Sequence, residues 1–147
     1  MPKLNRVRTL LYGDQRLSNS ELDIISTPTL QRLYDLHQLG LTDRVFIDAS
    51  HSRLHHVVGV LEQVEKLTGA IIRNLNVNPD GGHWDSDEFS FTNLELAEMV
   101  RGRKPIARLI GLLHDLTHAP YGHTVEDEIE LIVCKHDDPE RQAEAFY

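Results

Sequence analysis

An all-α fold is what this sequence predicts, and three observations predict it. Apolar residues recur at three-to-four spacing through Leu54, Val57, Val58, Leu61, Val64, Leu67 and Ile71, the pattern of one buried stripe on an α-helix. Helix start signals stand ahead of such stretches, Thr27-Pro28 and the pair Thr92 and Glu95 among them. At 147 residues, 40% of them hydrophobic and 6% aromatic, the chain suits one domain with a single helical core.

Taken in order, residues 1–19 read as a lead-in with little periodicity and a short strand or turn around Leu10 to Gly13. The domain proper is expected over residues 20–147. Ser20 with Glu21 marks a helix start, and Thr27-Pro28 places an N-cap before a proline at the first helical position. Leu30, Leu33, Tyr34 and Leu36 supply the apolar stripe, and Gly40 ends the region. RVFID is too short to assign to strand or extended loop. Ser50 or Ser52 then caps a long helix reaching about Leu75.

The stretch NVNPDGGHWDSDEFS carries proline, paired glycines and Asx residues, and reads as a loop. Its acidic members Asp85, Asp87 and Glu88 lack the spacing of a calcium loop. Thr92 with Glu95 opens another helix, Pro105 starts one that ends near Asp115, and Thr124 to Cys134 forms a further one. A last helix opens at Asp138-Pro139 and reaches Tyr147 without a stop signal. The expectation is a helical bundle truncated at its C-terminus, whose uncovered apolar surface would favour a homo-oligomer.

Charge and composition exclude several classes. The net charge of −8 argues against non-specific nucleic-acid binding, which needs a basic surface. A small anionic substrate stays open, since a metal and a few arginines make a pocket locally positive. No apolar run approaches the roughly 20 residues needed to span a bilayer. The single cysteine, Cys134, leaves no internal disulfide and fits a reducing cytoplasm.

The chemistry concentrates in LIGLLHDLTHAPYGH. There an apolar stretch containing Leu109, Ile110, Leu112 and Leu113 runs into His114-Asp115, with His118 and His123 following. Charged groups are seldom buried without a partner, and a divalent metal partners an adjacent imidazole and carboxylate. The other reading is a His–Asp pair at a helix C-terminus, where the dipole favours a protonated histidine.

Upstream, SRLHHVVGV offers His55 and His56. His56 shares a helix face with Val60, Leu67 and Ile71 and is the candidate ligand, with His55 flanking. Periodicity alone favours a satisfied core histidine at this position. His123 and Glu126, at i and i+3, place a carboxylate behind an imidazole as a general acid or base needs, or else form a local capping contact. Arg53, one turn before His56, either reaches a phosphate or is a solvated arginine at a helix start.

The three blocks TPTLQRLYDLHQLG, ASHSRLHHVVGV and LLHDLTHAPYGHTVEDE together resemble the HD superfamily of metal-dependent phosphohydrolases. Within it they look most like the branch of the deoxynucleoside triphosphate triphosphohydrolases. The resemblance implies an all-helical HD-domain bundle, of which residues 20–147 form the N-terminal portion. It implies metal ligands at His56, His114 and Asp115, catalytic histidines at His118 and His123, and Glu126 supporting His123. It further implies phosphate contact by Arg53, and a nucleoside sugar packed against Gln38 and Leu39.

The resemblance also implies a fourth ligand, an aspartate on a later helix, which has no identified counterpart; Asp127, Asp137 and Asp138 are equal candidates. Thr117 replaces the usual glycine of the turn, His55 and Val57 flank the first ligand in place of the usual residues, and Ser26 stands where many relatives carry aspartate.

The function expected is hydrolysis of a deoxynucleoside triphosphate to nucleoside and triphosphate, with a divalent ion (manganese, iron, zinc or magnesium) as cofactor. Alternatives are hydrolysis of another phosphate ester, such as a nucleoside monophosphate or cyclic nucleotide, and a non-catalytic module that binds nucleotide or a partner.

Overall fold

The lead-in expected over residues 1–19 contains a β-hairpin. Strand β1, Asn5–Thr9, pairs antiparallel with β2, Gly13–Leu17, in the register Asn5↔Leu17, Val7↔Gln15 and Thr9↔Gly13. Its inward positions are Thr9, Gln15 and Leu17, all buried, while Arg8, Asp14 and Arg16 face out. Alternation of burial is therefore regular, but polar residues fill both faces and hide the two-residue period of a strand. Arg8 and Asp14 face each other across the strands, with Nε and Nη2 donating to the two carboxylate oxygens at 2.5 and 3.0 Å. Gly13, at φ 70°, takes the left-handed conformation open to glycine.

The computed structural model describes residues 5–9, 12–79, 81, 83–85 and 90–122, with Asp138, Pro139 and Ala143 as isolated positions. His123, Glu126 and the helix expected over 124–134 lie outside the described residues, as does nearly all of the closing helix. Four α-helices occur among the described residues: α1 Asn19–Ile25, α2 Pro28–Gln31, α3 Arg53–Val77 and α4 Asn93–Leu113. The all-α expectation holds, with two small sheets added to it.

The described chain divides into two compact units. The first comprises residues 1–59 with 112–147, and holds the β1–β2 hairpin, α1, α2 and the start of α3. The N-cap of α1 is Ser18, not Ser20. Its side chain accepts from the Glu21 N–H at 3.2 Å, and Glu21 accepts from the Ser18 N–H at 2.7 Å. The chain breaks before α2, where Thr27 caps and Pro28 takes the first turn as expected. A 3₁₀ turn, Arg32–Tyr34, follows in place of a continuous helix.

Leu30, Leu33 and Leu36 are buried, but Tyr34 is 60% exposed, because the tighter 3₁₀ winding rotates it off the apolar face. RVFID is neither strand nor core: Val45, Phe46 and Ile47 are exposed. At Gly59 on α3 a Cβ would overlap the Tyr12 ring, so glycine lets the end of the hairpin approach the helix closely.

The second unit, residues 60–111, consists of the remainder of α3, most of α4 and a second hairpin. Strands β3, His83–Asp85, and β4, Ser90–Thr92, pair in the stretch expected to be loop. Three residues per strand are too few for a periodic signal. Along α3 the buried side chains are Arg53, Val57, Val58, Leu61, Thr68 and Leu75, whereas Leu67 and Ile71 are exposed. Of the stripe read from the sequence, the last two positions are therefore left uncovered. Glu65 accepts from Lys104 at 2.5 Å and from Arg108 at 3.3 Å.

Pro105 does not start a helix; α4 runs through it. A mid-helix proline loses one hydrogen bond and crowds the preceding turn, at a cost of about 3 kcal/mol. Pro105 and Arg101 are both exposed, so water reaches the carbonyl that proline leaves without a donor. Leu109 and Ile110, expected to be buried, are 40% and 63% exposed; the buried leucines at this end are Leu112 and Leu116.

The start of α4 is the capping box read from the sequence. Glu95 accepts from the Thr92 N–H at 2.8 Å, and Thr92 Oγ1 accepts from the Glu95 N–H at 3.3 Å. The Thr92 N–H, then its hydroxyl, hold the Glu95 carboxyl below its usual value. A carboxyl whose folded value lies below its unfolded one stabilises the fold above the unfolded value and loses that contribution as pH falls through the folded one. Glu95→Gln is accordingly expected to flatten the fall in urea midpoint as pH drops below the usual glutamate value. An unchanged slope would exclude this contribution. No helix among the described residues is long and apolar enough to cross a membrane.

Candidate functional site

The site lies within the first unit, where the start of α3 meets the turn that follows α4. The start of α3 is held by backbone pairing with the 36–38 segment. His37 and Ser52 form an antiparallel bridge, the Gln38 N–H donates to the His51 carbonyl at 3.0 Å, and the Arg53 N–H donates to the Leu36 carbonyl at 2.7 Å. The last bond satisfies a donor that a helix N-terminus otherwise leaves open. Ser52 caps the helix, its hydroxyl accepting from the His55 N–H at 3.4 Å and lying 2.9 Å from His55 Nδ1. His55 is thereby held beside the helix start, its ring 6.2 Å from that of Tyr34.

After Leu113 the chain leaves the α-helix in tight turns, with the Leu116 N–H donating to the Leu113 carbonyl and the His118 N–H to the Asp115 carbonyl. In mid-helix, adjacent side chains diverge by about 100°; here the unwinding lets His114 and Asp115 turn toward one point. The turn is clamped from a distance by Arg32. Nη1 donates to the His118 carbonyl at 2.9 Å and Nη2 to the Leu116 carbonyl. Nothing in the sequence marks Arg32 for this task, because its partners lie 86 and 84 residues away. Arg32→Ala is expected to lower stability by about 1.5–3 kcal/mol, the range for hydrogen bonds made by a charged group. A urea midpoint equal to the parent's would show that the clamp contributes nothing.

Asp115 is the centre of the cluster. Its Oδ2 accepts from Arg53 Nη1 at 3.0 Å and lies 3.9 Å from His56 Nε2; its Oδ1 lies 3.3 Å from His114 Nε2 and 3.6 Å from His118 Nε2. His56 Nε2 and His114 Nε2 are 3.2 Å apart. Arg53, Asp115 and His118 are buried at 1%, 5% and 2% exposure, whereas the His56 and His114 side chains are 31% and 35% exposed. The cluster is thus anchored on its inner side and open on its imidazole side. Burial holds His56 below its ordinary value; Asp115 opposes this, and the positive potentials of His114, Arg53 and His51 reinforce it. The neutral imidazole so favoured is the form that ligates metals.

One atom each from His56, His114 and Asp115 lies within 4.8 Å of the others. Two donors about 2.0–2.2 Å from one ion stand roughly 2.8–3.1 Å apart at octahedral angles and roughly 3.3–3.6 Å apart at tetrahedral ones. The 3.2 and 3.3 Å separations lie close to the tetrahedral range, and the 3.9 Å edge, made to the other carboxylate oxygen, needs a small movement of a half-exposed imidazole. Two imidazoles and a carboxylate suit zinc, iron or manganese better than calcium. The donor set fits a divalent ion.

Of the sequence-predicted residues, the structure brings His56, His114, Asp115, His118 and Arg53 together. Arg53 is no solvated helix-start arginine; it is buried against Asp115. Gln38 is half-buried with its side-chain carbonyl enclosed, and Leu39 is 47% exposed. A cleft of about 200 Å³ lies beside Pro120 and Tyr121, walled by Leu36, His37, Leu41 and Asp43; Gln38 and Leu39 do not line it. His123 and Glu126 lie outside the described residues.

No protein-family model matches the chain. Individual proteins do. It is 32% identical over 126 residues to the deoxynucleoside triphosphate triphosphohydrolase SAMHD1 homolog of Dictyostelium discoideum, covering 86% of this chain and 21% of that protein. It is 32% identical over 120 residues to a putative HD domain-containing protein of Acanthamoeba polyphaga mimivirus, covering 80% and 24%. It is 32% identical over 113 residues to the deoxynucleoside triphosphate triphosphohydrolase SAMHD1 of Danio rerio, covering 77% and 15%. Among solved structures, a hypothetical protein from Aquifex aeolicus superposes with a TM-score of 0.61 at 28% identity, covering 97% of this chain and 30% of that one. The chain thus spans about a fifth of the length of the first two relatives.

Proposed function

This chain belongs with the HD-domain phosphohydrolases related to SAMHD1, and from that premise we propose that His56, His114 and Asp115 form the divalent-metal centre of a nucleotide phosphohydrolase. The observation that carries the reading is the convergence of these three donors, His56 and His114 standing 58 residues apart. The substrate proposed is a deoxynucleoside triphosphate, cleaved to nucleoside and triphosphate. A divalent ion, when bound, supplies Lewis acidity at a phosphoryl oxygen.

The chain's own residues supply the rest. Arg53 and His118 carry positive potential toward the phosphate from the buried side of Asp115, where low dielectric strengthens it. The Arg53 Nε–H is buried with no acceptor among the described residues, a donor that a phosphate oxygen would satisfy. Gln38 likewise offers a buried Oε1 with no donor among the described residues, which a sugar hydroxyl would satisfy, while exposed Leu39 offers an apolar contact. His123, supported by Glu126, is assigned the proton transfer at the scissile ester.

Incubation with deoxynucleoside triphosphates and Mn²⁺ tests the reading. Equal amounts of deoxynucleoside and inorganic triphosphate are expected, with none after chelation. A chain that binds one ion and releases no inorganic triphosphate would overturn it.

A further inference from the structure

We propose that Gly122 is a positioning residue whose missing side chain seats the Arg53 guanidinium against Asp115. The inference rests on the metal centre proposed above and extends it to the turn that follows His118. The 119–122 turn closes through the Gly122 N–H donating to the Ala119 carbonyl at 3.0 Å. It carries two consecutive left-handed residues, Tyr121 at φ 67° and Gly122 at φ 46°. Glycine adopts that conformation freely, whereas tyrosine rarely does.

Gly122 is buried, and the space where its Cβ would project is filled by Arg53. A Cβ there would overlap Nη2 and lie 3.4 Å from Cζ, with His118 Nδ1 at 3.8 Å. The guanidinium is therefore held between the Gly122 backbone and the Asp115 carboxylate, which it contacts at 3.0 Å. That contact engages Oδ2 and leaves Oδ1 facing His114 and His118. Arg53 so held orients a proposed ligand, and partners of this kind set metal affinity. Any side chain at 122 must displace Nη2, and with it the guanidinium whose Nη1 holds the carboxylate.

Two variants separate this role from backbone preference. Gly122→Asn tolerates the left-handed conformation but adds a Cβ. Tyr121→Gly relieves the backbone without adding an atom near Arg53. Two readouts are taken on the chain: the Arg53 Nε–H resonance, assigned by its absence in Arg53→Lys, and the affinity for Mn²⁺. Gly122→Asn is expected to move the resonance and weaken Mn²⁺ binding by about tenfold or more, while Tyr121→Gly leaves the affinity within about twofold of the parent's.

An unmoved resonance in Gly122→Asn overturns the proposal. So does a moved resonance with parental Mn²⁺ affinity, or an equal loss of affinity in Tyr121→Gly. If the parent binds no Mn²⁺, the metal-centre reading fails by itself and the positioning role falls with it; the resonance then still reports whether Gly122 seats Arg53.

Discussion

Asp115→Ala is expected to destabilise the chain by about 3–5 kcal/mol, the cost of removing one partner from a buried ion pair. The remaining partner, Arg53, is 1% exposed, so its charge cannot be taken up by water when the carboxylate is gone. His118, 2% exposed and 3.6 Å from the same carboxylate, loses a neighbour as well. Against a typical total of about 5–15 kcal/mol, this is a large fraction of the stability.

Asp115→Asn keeps the shape and an acceptor oxygen while removing the charge, so it is expected to fall between the parent and Asp115→Ala. Urea denaturation of the three proteins checks the order. A midpoint for Asp115→Ala within about 1 kcal/mol of the parent would mean that Arg53 finds another partner.

His114→Ala is expected to act on the ion and spare the fold. The His114 side chain is 35% exposed and stands on the open side of the cluster, so its truncation leaves no buried charge and little cavity. Removing one of three donors should cost more than the roughly 10–100-fold loss that follows removal of a supporting partner. The expected result is about one ion per parent chain by metal analysis, none on His114→Ala, and nearly equal urea midpoints. Full metal content in the variant would remove His114 from the centre. The contrast with Asp115→Ala, where metal and stability fall together, separates a ligand at the mouth of the site from one that is also a core residue.

Much of the fold was legible where its cause is local. Thr27-Pro28 and the Thr92–Glu95 box mark real helix starts because caps satisfy donors within three residues. The long amphipathic run is one helix, α3. Legibility failed where the local signal was ambiguous or overridden. The β1–β2 hairpin went unread because Gln15 and Thr9 occupy buried positions that the pattern expects to be apolar. Pro105 signals a helix start because proline favours the first helical turn, yet α4 continues through it. Leu67, Ile71, Leu109 and Ile110 are as apolar as their buried neighbours; which face of a helix is covered depends on what packs there.

The same division runs through the site. Chain order alone made His114 and Asp115 neighbours, set His118 one turn later, and placed His55-His56 at the head of a helix; covalent adjacency and the 3.6-residue repeat need no tertiary information. Only the tertiary structure decided that His56 reaches His114, that Arg53 is buried on Asp115 62 residues away, and that Arg32 clamps the turn. A buried charge is stable only beside its partner. Which arginine reaches which carboxylate is therefore settled when distant segments exclude water together, and no spacing along the chain encodes it.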